Sequence, residues 1–252
     1  MKYRNTLIFI LSLFLFNSLQ GQQLNNKKLR LGLYYAPSFA NRYLTSESKN
    51  NIDQETYLKY RQTTEVSDYS NNMGFFFNYE FGKDFLFESG LSYENIKYER
   101  QIIKAYFPGF MDLYSGDKRI YFKYDFITIP LVIKYKYSFN RFIVSGGTGL
   151  NQNILINYSE SGDLDSDIKE YGTVISSETK NYTISAIAKL GLDFRLNNEI
   201  SIFFEPQFSY MLIPVKTEKV EINYIVGNDF IVDEQTIKER LYSLSLSFGI
   251  KF

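Results

Sequence analysis

The chain has 252 residues and contains no cysteine, histidine or tryptophan. Disulfides, thiolate zinc sites and a cysteine-borne lipid anchor are therefore excluded, and the commonest general base and metal ligand is missing. Charge is balanced at 28 basic and 28 acidic side chains, which leaves no basic surface for a phosphate backbone, so no nucleic acid partner is expected.

The chain opens with Lys2 and Arg4, then a ten-residue apolar run at 7–16 (LIFILSLFLF), then the polar and small residues from Asn17 to Gly21. This is the layout of a secretory signal peptide. It predicts a cleaved segment at 1–21 and a mature domain at 22–252. The run is too short for a membrane-spanning helix, which takes about 20 residues. No later stretch is continuously apolar over 18 residues. A helical membrane protein is thus excluded, whereas a closed barrel of strands is not.

From Lys28 onward apolar and polar residues alternate with a period of two, the signature of half-buried strands. Eight strands are predicted, at 28–44, 71–81, 85–98, 119–137, 141–158, 181–196, 200–215 and 239–252. Each reaches or exceeds the about 9–11 residues that a tilted strand needs to cross the hydrocarbon. Residues 82–84, 138–140 and 197–199 are tight turns, and 45–70, 99–118, 159–180 and 216–238 are long polar loops. Short turns alternating with long loops predict an all-β, eight-stranded, antiparallel up-and-down transmembrane β-barrel of the outer membrane. Both termini and all three turns would face the periplasm. Two irregularities are expected. Phe122, Tyr124 and Phe126 share one phase while Ile127, Ile129, Leu131, Ile133 and Tyr135 take the other, which calls for a β-bulge near 126–127. Pro37, Pro130 and Pro206 fall inside strands and are expected at bulges or strand ends.

The last strand shows the two faces most plainly. Tyr242, Leu244, Leu246, Phe248, Ile250 and Phe252 share one face, and Ser243, Ser245, Ser247, Gly249 and Lys251 the other. Small polar residues make a poor water-facing surface but a good packed lumen. The bulky face is therefore expected outward, against lipid, and the small one inward. Applied to the whole chain, the same phase places Arg30, Lys134, Lys136, Lys189, Arg195 and Lys251 inside, with Glu80, Glu88, Glu94, Asp193 and Glu205. Six bases against five acids predict a lumen closed by paired charges, because a lone buried charge is very costly. An ion or small-solute path through the same groups is the alternative. Tyr43, Tyr98, Tyr137, Tyr158, Tyr182, Tyr210 and Tyr242 lie near strand ends and read as interfacial girdle residues.

Chemistry finds little purchase. A Ser–His or Asp–His design cannot operate without histidine, so no enzymatic activity and no cofactor are expected. Glu160, Asp163, Asp165 and Asp167 loosely resemble alternating oxygen ligands for Ca²⁺, but the glycine and closing glutamate of an EF-hand loop are not in place. They read as a solvated acidic loop, and no metal site is assigned. The glycines of GGTG at 146–149 open no helix, so they read as close packing in the wall and not as a phosphate cradle.

Residues 126–137 (FITIPLVIKYKY), 146–150 (GGTGL), 203–212 (FFEPQFSYML) and 243–252 (SLSLSFGIKF) resemble the outer-membrane β-barrel domain of Bacteroidota, the PorT-like group. The resemblance covers essentially all of the mature chain. It implies an integral outer-membrane barrel that contacts lipid and lipopolysaccharide. PorT itself is linked to type IX secretion and gliding, so envelope or secretion proteins are the partners the resemblance suggests. The terminal strand ending in Phe252 resembles the signal by which barrel-assembly machinery recognises its clients.

Overall fold

The computed structural model describes residues 29–47, 65–102, 118–162, 172–226 and 229–252. The expected signal segment at 1–21 lies outside the described residues, as do Asp163, Asp165 and Asp167 of the acidic loop. The strands are β1 (Leu29–Glu47), β2 (Glu65–Phe81), β3 (Phe85–Ile102), β4 (Lys118–Phe139), β5 (Phe142–Gly162), β6 (Gly172–Thr179), β7 (Tyr182–Arg195), β8 (Ser201–Met211), β9 (Lys216–Val226) and β10 (Asp229–Lys251). All pair antiparallel, and β1 closes on β10 to make a ring in the order β1-β2-β3-β4-β5-β7-β8-β10. The fold is thus an eight-stranded antiparallel barrel.

Strand size and stagger fix its shape. Leu31 pairs with Phe77, then the path runs through Ser89, Leu131, Leu150, Ala186, Tyr210 and Tyr242 to Asn41, ten residues further along β1. Eight strands with that stagger tilt by about 40° and leave an interior just wide enough for side chains.

The tight turns fall where the sequence places them. Gly82 (φ 66°) and Asn140 (φ 53°) adopt the left-handed conformation at two of them, which glycine and asparagine tolerate best. At the third, Asn197 Oδ1 accepts the backbone N–H groups of Glu199 (2.8 Å) and Ile200 (2.7 Å). The opposite, loop end differs from expectation. Much of the predicted loop sequence is strand. The ends of β2, β3 and β5, with β6, β9 and the first half of β10, extend the wall beyond the predicted strands. Residues 236–239 of β10 bond β1 on one side and β9 on the other, and β6 adds to the far side of β9.

Two expected irregularities resolve differently. β4 keeps one phase throughout, with no bulge of its own. The register does shift at Asp125/Phe126, but the extra residue, Ile156, lies on β5. Phe122, Tyr124 and Phe126 simply face inward, where they are 4% exposed or less. The three prolines sit mid-strand and keep register. Beside each one the ladder to one neighbour skips two positions: Tyr35↔Phe248 to Ser38↔Ser245, Ser89↔Leu131 to Ser92↔Thr128, and Lys189↔Gln207 to Leu192↔Phe204. A missing N–H donor has removed hydrogen bonds locally without displacing the strand.

Around the outside runs a belt of exposed apolar side chains, among them Leu33, Phe39, Ile133, Leu190, Leu244 and Phe248. Inside, glycines let strands and side chains approach. A Cβ at Gly149 would lie 2.0 Å from the Leu131 carbonyl oxygen and 2.7 Å from Val132 Cα, both backbone atoms. Gly149→Ala is therefore expected to cost about 1–3 kcal/mol, as overpacking does in other cores. Urea unfolding in lipid vesicles, followed by circular dichroism, reads this directly; an unchanged midpoint would show that the wall yields.

Candidate functional site

Among the described residues the inward face carries the buried charge groups, and it is layered. Nearest the turns, Glu80 accepts Lys136 (2.6 Å) and lies 4.0 Å from Arg30. At the same end Lys251 Nζ donates to both oxygens of Asp193 (2.9 and 2.7 Å) and sits 4.6 Å from the centroid of the Phe203 ring. Next comes a quartet. Lys134 bonds Glu88 (2.6 Å) and Glu205, and Lys189 bonds the same two carboxylates at 2.8 and 3.2 Å. All four residues are buried. Two bases alternate with two acids, so each charge has two opposite neighbours and the group is neutral.

Above the quartet the lumen turns to small neutral polar groups. Thr128 Oγ1 lies within hydrogen-bond reach of Glu94 (3.4 Å) and Asn153 (3.2 Å), and Asn153 donates to Ser185 (2.7 Å). Tyr34 donates to Asn72 (2.9 Å). Of the eleven charged residues expected inside, nine therefore meet as pairs or groups. Among the described residues Glu94 and Arg195 do not: Glu94 is close to a hydroxyl and no base, and Arg195 Nε is buried without a hydrogen-bond partner.

The loop end of the lumen carries a second assembly that phase reasoning left unassigned. Arg42 reaches inward from β1 beside the paired rings of Tyr98 and Phe122, its guanidinium carbon 5.0 and 5.1 Å from their centroids. It pairs with Glu65 through Nη2 and with Glu239 through Nη1 (2.8 Å). Tyr98 and Tyr124 both donate to Glu239 Oε1, at 2.8 and 2.7 Å. Tyr98 stacks on Phe122 (4.7 Å), and Phe126, Ile96, Ile120, Ala40, Met211, Val215 and Leu241 complete the cluster. Tyr98 and Tyr124 are fully buried here, so Tyr98 is not the girdle residue expected from its place near a strand end. Tyr158 is likewise drawn partly inward, donating to Glu160 (2.8 Å) and accepting from Lys216 (3.2 Å). By contrast, Tyr43, Tyr137, Tyr182 and Tyr242 are exposed on the outward face.

This assembly lies beyond the apolar belt. Its neighbours in the chain, Lys97, Lys123 and Arg240, point outward at the same height. Burial pushes the phenols of Tyr98 and Tyr124 well above their ordinary range, although Arg42 pulls Tyr98 the other way. Both phenols thus stay protonated and serve as donors to the carboxylate of Glu239. Tyr124→Phe removes one of them and is expected to cost about 1–3 kcal/mol, measured as a shift in the urea midpoint. A change smaller than that range would mean water replaces the lost donor.

An outward apolar belt, an inward polar face and a closed eight-strand ring define an integral outer-membrane β-barrel protein. The profile of the family described as "Outer membrane protein beta-barrel domain" matches residues 20–217, and the chain belongs to that family. Among solved structures, it is similar to the outer membrane protein OprG from Pseudomonas aeruginosa, at 15% identity over 89% of this chain and 95% of that one (TM-score 0.46). It is also similar to Neisserial surface protein A, at 13% identity over 86% and 95% of the two chains (TM-score 0.36). Ail of Yersinia pestis shares 11% identity over 89% and 99% (TM-score 0.30). No curated protein matches the chain.

Proposed function

We propose that the protein is a non-enzymatic structural and interaction barrel of the outer membrane, with its termini in the periplasm and its extended wall outside. In this reading it serves as an accessory to envelope biogenesis or protein secretion, as its PorT-like, Bacteroidota-type motifs suggest. The observation that carries the reading is the filled lumen. The quartet of Glu88, Lys134, Lys189 and Glu205 occupies the middle, and the cluster around Arg42 and Tyr124 occupies the loop end. An interior so occupied does not pass solute, which leaves the outer wall and rim as the working surface. Purified protein in planar bilayers is expected to give no steady conductance, and crosslinking in native envelopes is expected to capture secretion or envelope proteins. A large steady conductance would overturn the closed-lumen reading.

One observation favours the alternative of small-solute or ion transport. Beyond Leu155, whose N–H bonds Asn181 (2.8 Å), β5 pairs only with β4 and β6 only with β9 among the described residues. The wall therefore has a seam near the loop end. A seam that admits solute would appear as substrate uptake in liposomes that Asn181→Cys crosslinked to Leu155→Cys abolishes.

A further inference from the structure

The lumen holds the buried charge groups described above, but a further cluster faces the other way. On the outward surface of β3 and β4, Lys97 and Lys123 are direct cross-strand partners. Directly opposed side chains lie about 5 Å apart at Cβ, and like charges so placed destabilise a sheet. The pair is only half relieved. Lys123 Nζ reaches Asp125 at 3.3 Å, but Asp125 is shared: Tyr93 (2.6 Å), Asn157 (3.0 Å) and Asn95 donate to the same carboxylate. Among the described residues no carboxylate lies within ion-pair distance of Lys97. Farther from the belt, Arg119 and Glu99 pair with each other at 3.3 Å.

The height of this pair identifies what would relieve it. Below Lys123 on the same face come Asp125, then Ile127 and Ile129 in the apolar belt. On β3 the order below Lys97 is Asn95, Tyr93 and Leu91. The lysines thus stand just beyond the hydrocarbon edge, with Tyr93 and the exposed Tyr121 flanking them as interfacial aromatics. An anion that lies in the plane of the membrane surface meets both ammonium groups at once, and charge-assisted bonds to its oxygens would offset the repulsion.

We infer that Lys97 and Lys123 form a clamp for the phosphate of an outer-leaflet glycolipid, lipopolysaccharide. The inference rests on the proposed orientation, with the loop end outside. Asn95, Asn157 and Tyr93 hold Asp125 so that it orients Lys123 without cancelling both charges. The site is a positioning site for lipid and takes no part in closing the lumen.

The test uses full-length mature protein in nanodiscs of phosphatidylcholine doped with either diphosphorylated or dephosphorylated lipid A, with retained lipid counted by native mass spectrometry. Wild type is expected to retain the phosphorylated form about tenfold to thirtyfold better, since each lysine near an anionic surface contributes roughly fivefold. K97Q/K123Q should abolish that preference. No preference in wild type, or an unchanged preference in the double variant, overturns the clamp. Displacement of the lipid by equimolar inorganic phosphate overturns the lipid assignment. Folding is controlled by K97Q alone, which removes a repulsive charge with no ion pair to lose. Its melting temperature should equal or exceed that of wild type in zwitterionic lipid and fall below it with phosphorylated lipid A; a decrease in both would mark Lys97 as merely structural. Both nanodisc faces are accessible, so these readings do not depend on orientation. Orientation is read separately, by impermeant thiol labelling of Lys83→Cys in intact cells.

Discussion

Lys134→Met is expected to destabilise the folded barrel by about 3–5 kcal/mol, the usual cost of removing one partner from a buried charge group. Lys134 is 1% exposed and bridges Glu88 and Glu205. Without it, two buried carboxylates share Lys189 alone, and the quartet carries an uncompensated negative charge. The compensating experiment is the double variant Lys134→Met/Glu205→Met. It leaves Glu88 and Lys189 as a neutral pair at 2.8 Å and replaces two ions by apolar groups of similar length. Such replacements are often neutral, so the double variant should recover to within about 1–2 kcal/mol of wild type. Urea titrations in lipid vesicles, read by circular dichroism and by the gel mobility of the unboiled barrel, give both values. A double variant less stable than the single one would show that the pairs act separately and not as a quartet.

The second large effect concerns assembly. Phe252→Ala is expected to reduce the barrel recovered in outer membranes several-fold while leaving the stability of refolded protein nearly unchanged. The backbone of Phe252 donates to Leu31 O (2.7 Å) and accepts from Leu31 N (3.2 Å), and alanine keeps both bonds. Its ring faces outward and is 48% exposed, so it contributes little packing within the protein. Deleting the residue removes the backbone bonds as well and should lower stability too. If Phe252→Ala lowers refolded stability as much as it lowers cellular assembly, the ring is a packing element and the recognition role fails.

The extent to which this architecture could be read in advance differs from region to region. Strand phase was legible wherever one face was apolar and the other small, as along 242–252. It also located the inward charges from Arg30 to Lys251. The same phase also marks residues of the loop-end assembly. Arg42 is even-numbered on β1 like Arg30, Tyr98 shares a phase with Glu88, and Glu239 shares one with Lys251. Tyr98 reads as a girdle residue when apolar and aromatic side chains are equated with lipid, and Arg42 and Glu239, though inside predicted strands, are assigned no role. Phe122, Tyr124 and Phe126 break that equation: above the membrane an inward face can be aromatic, because packing a plug is as favourable as facing hydrocarbon. Glu65 was not legible by phase at all. An extra residue between Ser67 and Asn71 of β2 reverses the alternation before it is reached. The wall beyond the membrane was hidden for a related reason: polar residues on both faces of a strand look like a loop.

The ring is joined by its two extremities, β1 at one end of the described chain and β10 at the other. Every other seam in the ring links strands near in sequence, but this one joins the two strands farthest apart in it. The outer edge of β1 stays unsatisfied until β10 reaches it, so closure, with the largest sequence separation in the ring, is the slowest contact to form and the most exposed to mispairing. A chain shortened from the carboxyl side, even by one strand, would have two raw edges and no way to bury them. An incomplete copy therefore remains an open sheet whose edge N–H and C=O groups find no partner in hydrocarbon.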